Sequence, residues 1–388
     1  MAKNINKQVF TEQTQLKLDI FRECFREWFP VFLHNQYIPT IFIYDLFAGS
    51  GTDVAGNYGS PLTLLEEARG ENGVHCTHVI RNNKRIVFGY NEFQKRKAKT
   101  LESNIKAFFA DCKHKCTHNS CPYEGNYVVK QEDFQQLFQN QTLLSNLENP
   151  KCGKFILLDQ YGFKHVDDNV FIKLTNSPKT DFIFFISSST IKRFQESDVV
   201  AKYLKDHKIM FDETKPKECH RVIANYFRQL IPLTKEYYLH HFTIQNQSKS
   251  NYYGLIFGSN HSFGMEKFLK VCWKYDKLAG ESNCNINDDF EQGTLFHNPD
   301  NTNKIEQIKQ EIKELILSKT IGNNKAGMKY ILSKGCLPNL FVDVVNELIA
   351  EKKISIDGKF NRQVTGIHNV SEYHINILCY ENNKNRMD

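Results

Sequence analysis

The chain has 388 residues, 40% of them hydrophobic and 24% charged, the balance of an ordinary soluble globular protein with material for two or three domains. No apolar run approaches the roughly 20 residues that span a bilayer, and the leading residues lack the apolar core of a secretory signal, so a cytoplasmic protein with reduced cysteines is expected. A net charge of +6, from 50 Lys and Arg against 44 Asp and Glu, permits a nucleic-acid partner without requiring one.

Residues 14–32 place Leu16, Leu18, Phe21, Phe25, Trp28 and Phe29 at helical spacing, which predicts an amphipathic helix ending at Pro30 or shortly after. Lys17 on this helix reads as an exposed charge, with reach to a phosphate or substrate as the alternative. Ile41 to Tyr44 is apolar throughout, as in a parallel strand covered on both faces. Asp45 closes that strand, where open α/β sheets bind ligands. Beyond Phe47 come Ala48, Gly49, Ser50 and Gly51, a small-residue turn whose backbone a ligand can approach closely. Ser60 and Pro61 then open a helix with Leu62, Leu64, Leu65 and Ala68 on its buried side.

Arg85 to Glu92 predicts a second strand ending in an acid, placed to accept hydrogen bonds from ribose hydroxyls. A helix is expected over 93–108. From Arg81 to Lys115 there are ten Lys or Arg against three Asp or Glu, which fits a phosphate-facing surface or a solvated helix face equally. Cys112, Cys116, His118 and Cys121 then crowd one insertion of about 108–125, with a spacing that is neither a ribbon nor a finger. The expectation is an insertion loop with free thiols and no metal; structural zinc on those four side chains is the alternative. The third strand, 126–130, leads to Asp133 and Phe134. That pair suits adenine recognition, the carboxylate taking the amine and the ring covering a face, and Asp133 serves equally as a helix N-cap.

Phe155 to Leu158 predicts the fourth strand, followed by Asp159, Gln160, Tyr161, Gly162 and Phe163. Asp159 and a backbone carbonyl at Gln160 can accept from an amine, while Tyr161 or Phe163 stacks on a ring. The bland reading is a turn with a capping acid. The fifth strand, 181–187, ends in Ser187, Ser188 and Ser189. A helical insert over about 190–235, two further strands at 237–245 and 252–258 and a helix from His261 to Tyr275 complete a domain of 1–285. Residues from about Ala279 to Asn303 are rich in Asn, Asp, Gly and Ser, and 286–303 is expected to link this domain to a second one, 304–388. There, helices at 304–317, 328–332 and 338–350 precede a hairpin of 353–356 and 373–377, the order of a small winged-helix-like α+β domain.

YDLFAGSGT, starting at Tyr44, resembles the first motif of class I S-adenosylmethionine-dependent methyltransferases, including those acting on DNA bases. Together with Gly59-Ser60-Pro61, Asn91-Glu92, Asp159-Gln160-Tyr161-Gly162-Phe163 and the HSFGMEKF run from His261, it resembles the three-Cys-motif partner (TcmP) family. The resemblance covers roughly 14–283. It implies a Rossmann-like class I methyltransferase sheet with helices on both faces, in bacterial proteins often encoded near a radical S-adenosylmethionine protein. The family carries Asp-Pro-Tyr-Gly where this chain has Asp159-Gln160-Tyr161-Gly162, and asparagine where it has Ser187 to Ser189.

The resemblance implies S-adenosylmethionine held by Asp45, Phe47, Gly49, Ser50, Gly51, Glu92, Asp133 and Phe134. Asp159 and Tyr161 become the catalytic pair, with Gln160, Gly162, Phe163 and Ser187 on the acceptor side. The leading expectation is a methyltransferase acting on nucleic acid, in DNA modification, repair or phage defence. Two rivals remain: a methyltransferase-like scaffold for a radical S-adenosylmethionine enzyme, and a base-modifying or base-excising enzyme using Asp159.

Overall fold

The computed structural model describes residues 8–115, 121–207, 209–211, 214–246, 251–288, 303–363 and 366–378. The chain forms two compact units, Met1–Val271 with Ser282–Cys284, and Cys272–Glu281 with Asn285–Asp388.

The first unit opens with helix α1 (Glu12–Leu33), capped by the Thr11 hydroxyl on the Thr14 N–H. Strand β1 (Thr40–Asp45) follows, then α2 (Ser60–Arg69), α3 (Val74–Arg81), β2 (Arg85–Asn91) and α4 (Lys95–Lys115). Next come β3 (Tyr127–Lys130), α5 (Phe134–Leu137), α6 (Gln141–Glu148), β4 (Cys152–Leu158), α7 (Asp168–Asn176) and β5 (Thr180–Ile186). The helical insert supplies α8 (Ser188–Arg193), α9 (Asp198–Asp206) and α10 (Cys219–Gln229), before β6 (Tyr238–Gln245), β7 (Tyr252–Ser259) and α11 (Ser262–Tyr275).

Seven strands form one sheet in the order β3-β2-β1-β4-β5-β7-β6. The first five run parallel, and β7 joins β5 and β6 antiparallel. The order reverses between β1 and β4, the switch point at whose carboxyl ends such sheets open a crevice. Alternate residues face opposite sides. Phe42, Ile156, Phe182, Phe184 and Ile256 share a core with Leu143, Phe171 and Phe227 of α6, α7 and α10. On the other side α1 lays an aromatic row, Phe25, Trp28, Phe29 and Phe32, with Phe25 and Trp28 against Phe155 of β4. Gly153 lies under that helix; a Cβ there would stand 2.2 Å from the Phe32 ring. The Trp28 indole donates to Asp181 at 2.5 Å, which ties α1 to β5.

In the second unit, α12 (Lys304–Leu317), α13 (Asn324–Ser333) and α14 (Asn339–Ala350) precede β8 (Ile354–Gly358) and β9 (Tyr373–Ile377), which pair antiparallel. Ile308, Ile312 and Ile316 are buried at four-residue spacing on α12.

The first helix ends at Leu33, shortly after Pro30 as expected. Other expectations are corrected. Cys112 lies in the last turn of α4 rather than in an insertion loop, while Cys116 and His118 lie outside the described residues. Residues 272–281 belong to the second unit, so the expected boundary at 285 shifts. Ala279 and Glu281 are buried, because the Asp276 carboxylate accepts the N–H groups of Leu278, Ala279 and Glu281 and folds that Gly/Ser-containing stretch into a compact turn. Most of the linker, 289–302, lies outside the described residues.

Candidate functional site

The carboxyl ends of β1, β2, β3 and β4 bring together most of the residues singled out from the sequence. Asn91 knits the first three: its side-chain amide donates to the Leu46 and Glu132 carbonyls, and its oxygen accepts from Glu132 N–H. Ala48 N–H donates to the Asn91 carbonyl at 2.9 Å, and Leu46 N–H to the Leu157 carbonyl at 3.1 Å. These bonds fix the start of the small-residue turn. Within it Gly49 and Gly51 take φ of 63° and 84°, which side chains rarely adopt. A Cβ on Gly51 would meet Leu101 of α4 at 2.9 Å, so this glycine serves helix packing as well as the turn. Asn104 of α4 donates to the Ser50 carbonyl and Thr52 hydroxyl. Asp53, beyond the turn, accepts from the N–H groups of Phe10, Ala55 and Asn57 and from the Asn57 amide. Burial would raise its carboxyl, but these bonds outweigh it and hold Asp53 below the usual range.

Asp45 is fully buried, and its Oδ2 has no hydrogen-bond partner; Oδ1 accepts from Phe47 N–H at 3.3 Å. Burial pushes this carboxyl up to about 7, against the Ser60 side chain; the Asp159 charge adds to the push, and Phe47 N–H and Lys17 oppose it. The ammonium of Lys17 sits 2.7 and 2.6 Å from the two oxygens of Asp159 and 4.8 Å from the Phe185 ring centroid. Lys17 is therefore no exposed charge: it is the cation of this cluster, carried in by α1.

Glu92 and Asp133 stand at the ends of β2 and β3. Glu92 accepts from Gln94 N–H at 2.7 Å with one oxygen. Asp133 caps α5, accepting from Gln135 and Gln136 N–H with the same oxygen, as the N-cap reading expects. Phe134 is buried and stacks on Phe47 at 4.7 Å, with His165 edge-on at 5.9 Å. Burial lowers the His165 imidazole, and Asp133 restores only part of that.

The Asp159-to-Phe163 segment divides. Tyr161 is 70% exposed. Gln160 is buried; its amide donates to the Phe185 carbonyl and its oxygen accepts from His165 and Val166 N–H. It clips the loop to β5, taking over part of the stiffening a proline would supply. The Gly162 carbonyl accepts from Ser187 N–H at 3.2 Å, and the Ser187 hydroxyl pairs with Thr190 at 2.6 Å. Phe163 is buried edge-on to Tyr203 at 4.7 Å, so its expected stacking on an acceptor gives way to a core role.

Sequence reasoning did not find Ser60, Asn104, Asp53 or His165 at this crevice. Ser60 was legible as a helix start and as part of a family motif, with no contact to Asp45 implied, and His165 had no spacing signal.

No family model matches the chain, and no curated protein matches its sequence. Solved structures do resemble it. TYW2 of M. jannaschii in complex with AdoMet is 10% identical, over 66% of this chain and 78% of that one, with a TM-score of 0.29. TrmK of M. capricolum, in complex with the cofactor product S-adenosyl-homocysteine, is 13% identical over 79% and 93%, with a TM-score of 0.26. Precorrin-6y C5,15-methyltransferase of Geobacter metallireducens is 11% identical over 59% and 85%, with a TM-score of 0.25. Among the described residues, no helix is long and apolar enough to cross a membrane.

Proposed function

We propose that the crevice binds S-adenosylmethionine and that the protein is a methyltransferase acting on nucleic acid. The observation that carries this reading is Asp45: a buried carboxylate oxygen without a partner, at the switch point and beside a fixed glycine turn. A buried polar atom left unpaired costs about 1–3 kcal/mol, and a ligand ammonium group would remove that cost. In this reading Gly49, Ser50 and Gly51 cradle the methionine part and Asp45 takes its amine. Glu92 takes the ribose hydroxyls, Asp133 the adenine amine, and Phe47 with Phe134 walls the ring.

Bound there, the cofactor supplies an electrophilic methyl group on a sulfonium. Asp159 would accept a hydrogen bond from an acceptor amine, and exposed Tyr161 would stack on the base. Gln160, Gly162 and Ser187 hold the loop that presents them. A duplex target would have to be flipped from its stack. Lys95, Arg96 and Lys99 are exposed on the first turns of α4, beyond Glu92, where phosphates would pass. The assignment to the three-Cys-motif partner family, a role in DNA modification and a winged-helix second unit belong to the same proposal.

A second reading is favoured by the Lys17–Asp159 pair: a carboxylate already bonded through both oxygens has less to offer an acceptor. That suits a cofactor-binding scaffold serving a radical S-adenosylmethionine enzyme. Calorimetry with S-adenosylmethionine and S-adenosyl-homocysteine tests the crevice; no binding heat with either overturns both readings. Methyl transfer from labelled cofactor to DNA, RNA and protein then separates enzyme from scaffold. Asp159→Ala should retain binding and lose transfer; unchanged transfer removes Asp159 from the mechanism.

A further inference from the structure

His165 stands at the crevice with its backbone held and its imidazole nitrogens unused. Its N–H donates to Gln160 Oε1 at 2.9 Å, and its carbonyl accepts from Gln135 Nε2 at 3.1 Å. One glutamine belongs to the loop after β4 and the other to α5, so two separate elements hold this one residue between them. The ring is half-buried, 5.2 Å from Phe47 and 5.9 Å from Phe134, and those two phenyls stack on each other at 4.7 Å. Among the described residues neither ring nitrogen has a hydrogen-bond partner.

An imidazole against two phenyl rings can be plain packing. Asp133, which directly precedes Phe134, points past that reading. It accepts from Gln135 and Gln136 N–H with the same oxygen, Oδ1, and Oδ2 has no hydrogen-bond partner among the described residues. One aromatic corner therefore carries an idle carboxylate oxygen and an idle imidazole edge. Burial pushes the imidazole below its usual 6.5, so at neutral pH the ring is neutral, with one N–H to give.

The two groups complement one kind of ligand edge. A carboxylate oxygen only accepts, and the imidazole N–H donates. A flat ring with an amine beside a ring nitrogen answers both: the amine donates to the carboxylate while the ring nitrogen accepts from the imidazole. Adenine carries that pair on two edges, its 6-amine lying beside N1 on one and beside N7 on the other. We infer that His165 reads the adenine of the cofactor, its imidazole N–H donating to the ring nitrogen beside the amine that Asp133 accepts. Gln135 and Gln160 are positioning residues, fixing the backbone from which the imidazole projects. This inference rests on the crevice reading and adds to it a side chain that selects the base.

The test is calorimetry on the full chain with three ligands: S-adenosyl-homocysteine and its 1-deaza and 7-deaza analogues, in each of which a C–H replaces one ring nitrogen. Wild type should bind at least one analogue about tenfold more weakly than the parent. His165→Phe keeps a ring against Phe47 and Phe134 but has no nitrogen to offer. It should weaken the parent about tenfold and erase that penalty, binding parent and analogue alike. Packing alone would leave the penalty in place. Equal binding of all three ligands by wild type overturns the inference and leaves the crevice reading standing. So does a wild-type penalty that survives entire in His165→Phe. No binding of S-adenosyl-homocysteine by folded wild-type protein overturns the crevice reading, and this inference with it. If His165→Phe fails to fold, His165→Ala is judged by the same comparison.

Discussion

Lys84 and Lys154 stand near the amino ends of β2 and β4 and donate to carbonyls at helix ends and in the residues beyond them: Phe32, Asn35 and Ile38 for one, Leu147 and Asn149 for the other. Asp45 and Asp159, at the carboxyl ends of β1 and β4, are treated differently. One is buried with an unpaired oxygen, and the other is held by a single lysine from α1. Burial lowers Lys154 to about 8 and raises Asp45 to about 7, so both ends press their charges toward neutrality. At the amino end the Lys154 ammonium donates to two backbone carbonyls, while at the carboxyl end Asp45 keeps one oxygen without a partner. Under the proposed function, the contrast separates charge used to build the fold from charge kept for a ligand.

Four experiments test that contrast, beginning with the helix that spans both ends. Phe25→Ala removes a fully buried ring between α1 and β4 and should cost about 3–5 kcal/mol in denaturant unfolding. A loss below about 1 kcal/mol would mean α1 is not the bar that joins the two ends. Asp45→Asn should raise thermal stability while weakening S-adenosylmethionine binding about 100-fold, since it removes a buried charge whose unpartnered oxygen a cationic ligand would satisfy. A stability loss with unchanged binding would make Asp45 a structural group like Lys154. Gln160→Ala leaves the His165 and Val166 N–H groups and the Phe185 carbonyl without their partner, for about 1–3 kcal/mol, and should increase amide exchange over 161–166.

The smallest effect is in pH. With Asp45 near 7, cofactor affinity should rise about tenfold from pH 6 to pH 8 as the carboxyl ionises, measured by calorimetry. Stability carries the opposite sign. A carboxyl raised from 3.8 to about 7 holds its proton longer in the folded state, so its contribution falls as pH climbs through that window. Burial lowers His220 from 6.5 to about 4, the Leu255 carbonyl opposing only in part, so its contribution is complete above 6.5 and is lost toward 4. Asp45→Asn should therefore steepen the rise of melting temperature between pH 4 and 6.5. An unchanged slope would show that Asp45 does not titrate there.

Much of the sheet was legible because its strands are continuous apolar runs ending in acids or small residues. Asp45, the glycine turn, Glu92 and Asp133 could be placed by that rule alone. Lys17 and Asp159, 142 residues apart, could not, because helical spacing locates a lysine on a face without saying what the face covers. Gln160 looked like a lost proline until its amide was seen bonded on both sides. Ala279 to Glu281 was misread because glycine and serine suggest a linker, while one aspartate folds the stretch tight.

The bond from Phe10 N–H to Asp53 Oδ2, 2.9 Å long, ties the front of the chain to the loop just past the glycine turn. Val9 beside it is 57% exposed. A fluorophore attached there sits one residue from a hydrogen bond anchored in that loop. The leading segment thus offers a built-in reporter for ligand entry that leaves every residue lining the crevice untouched.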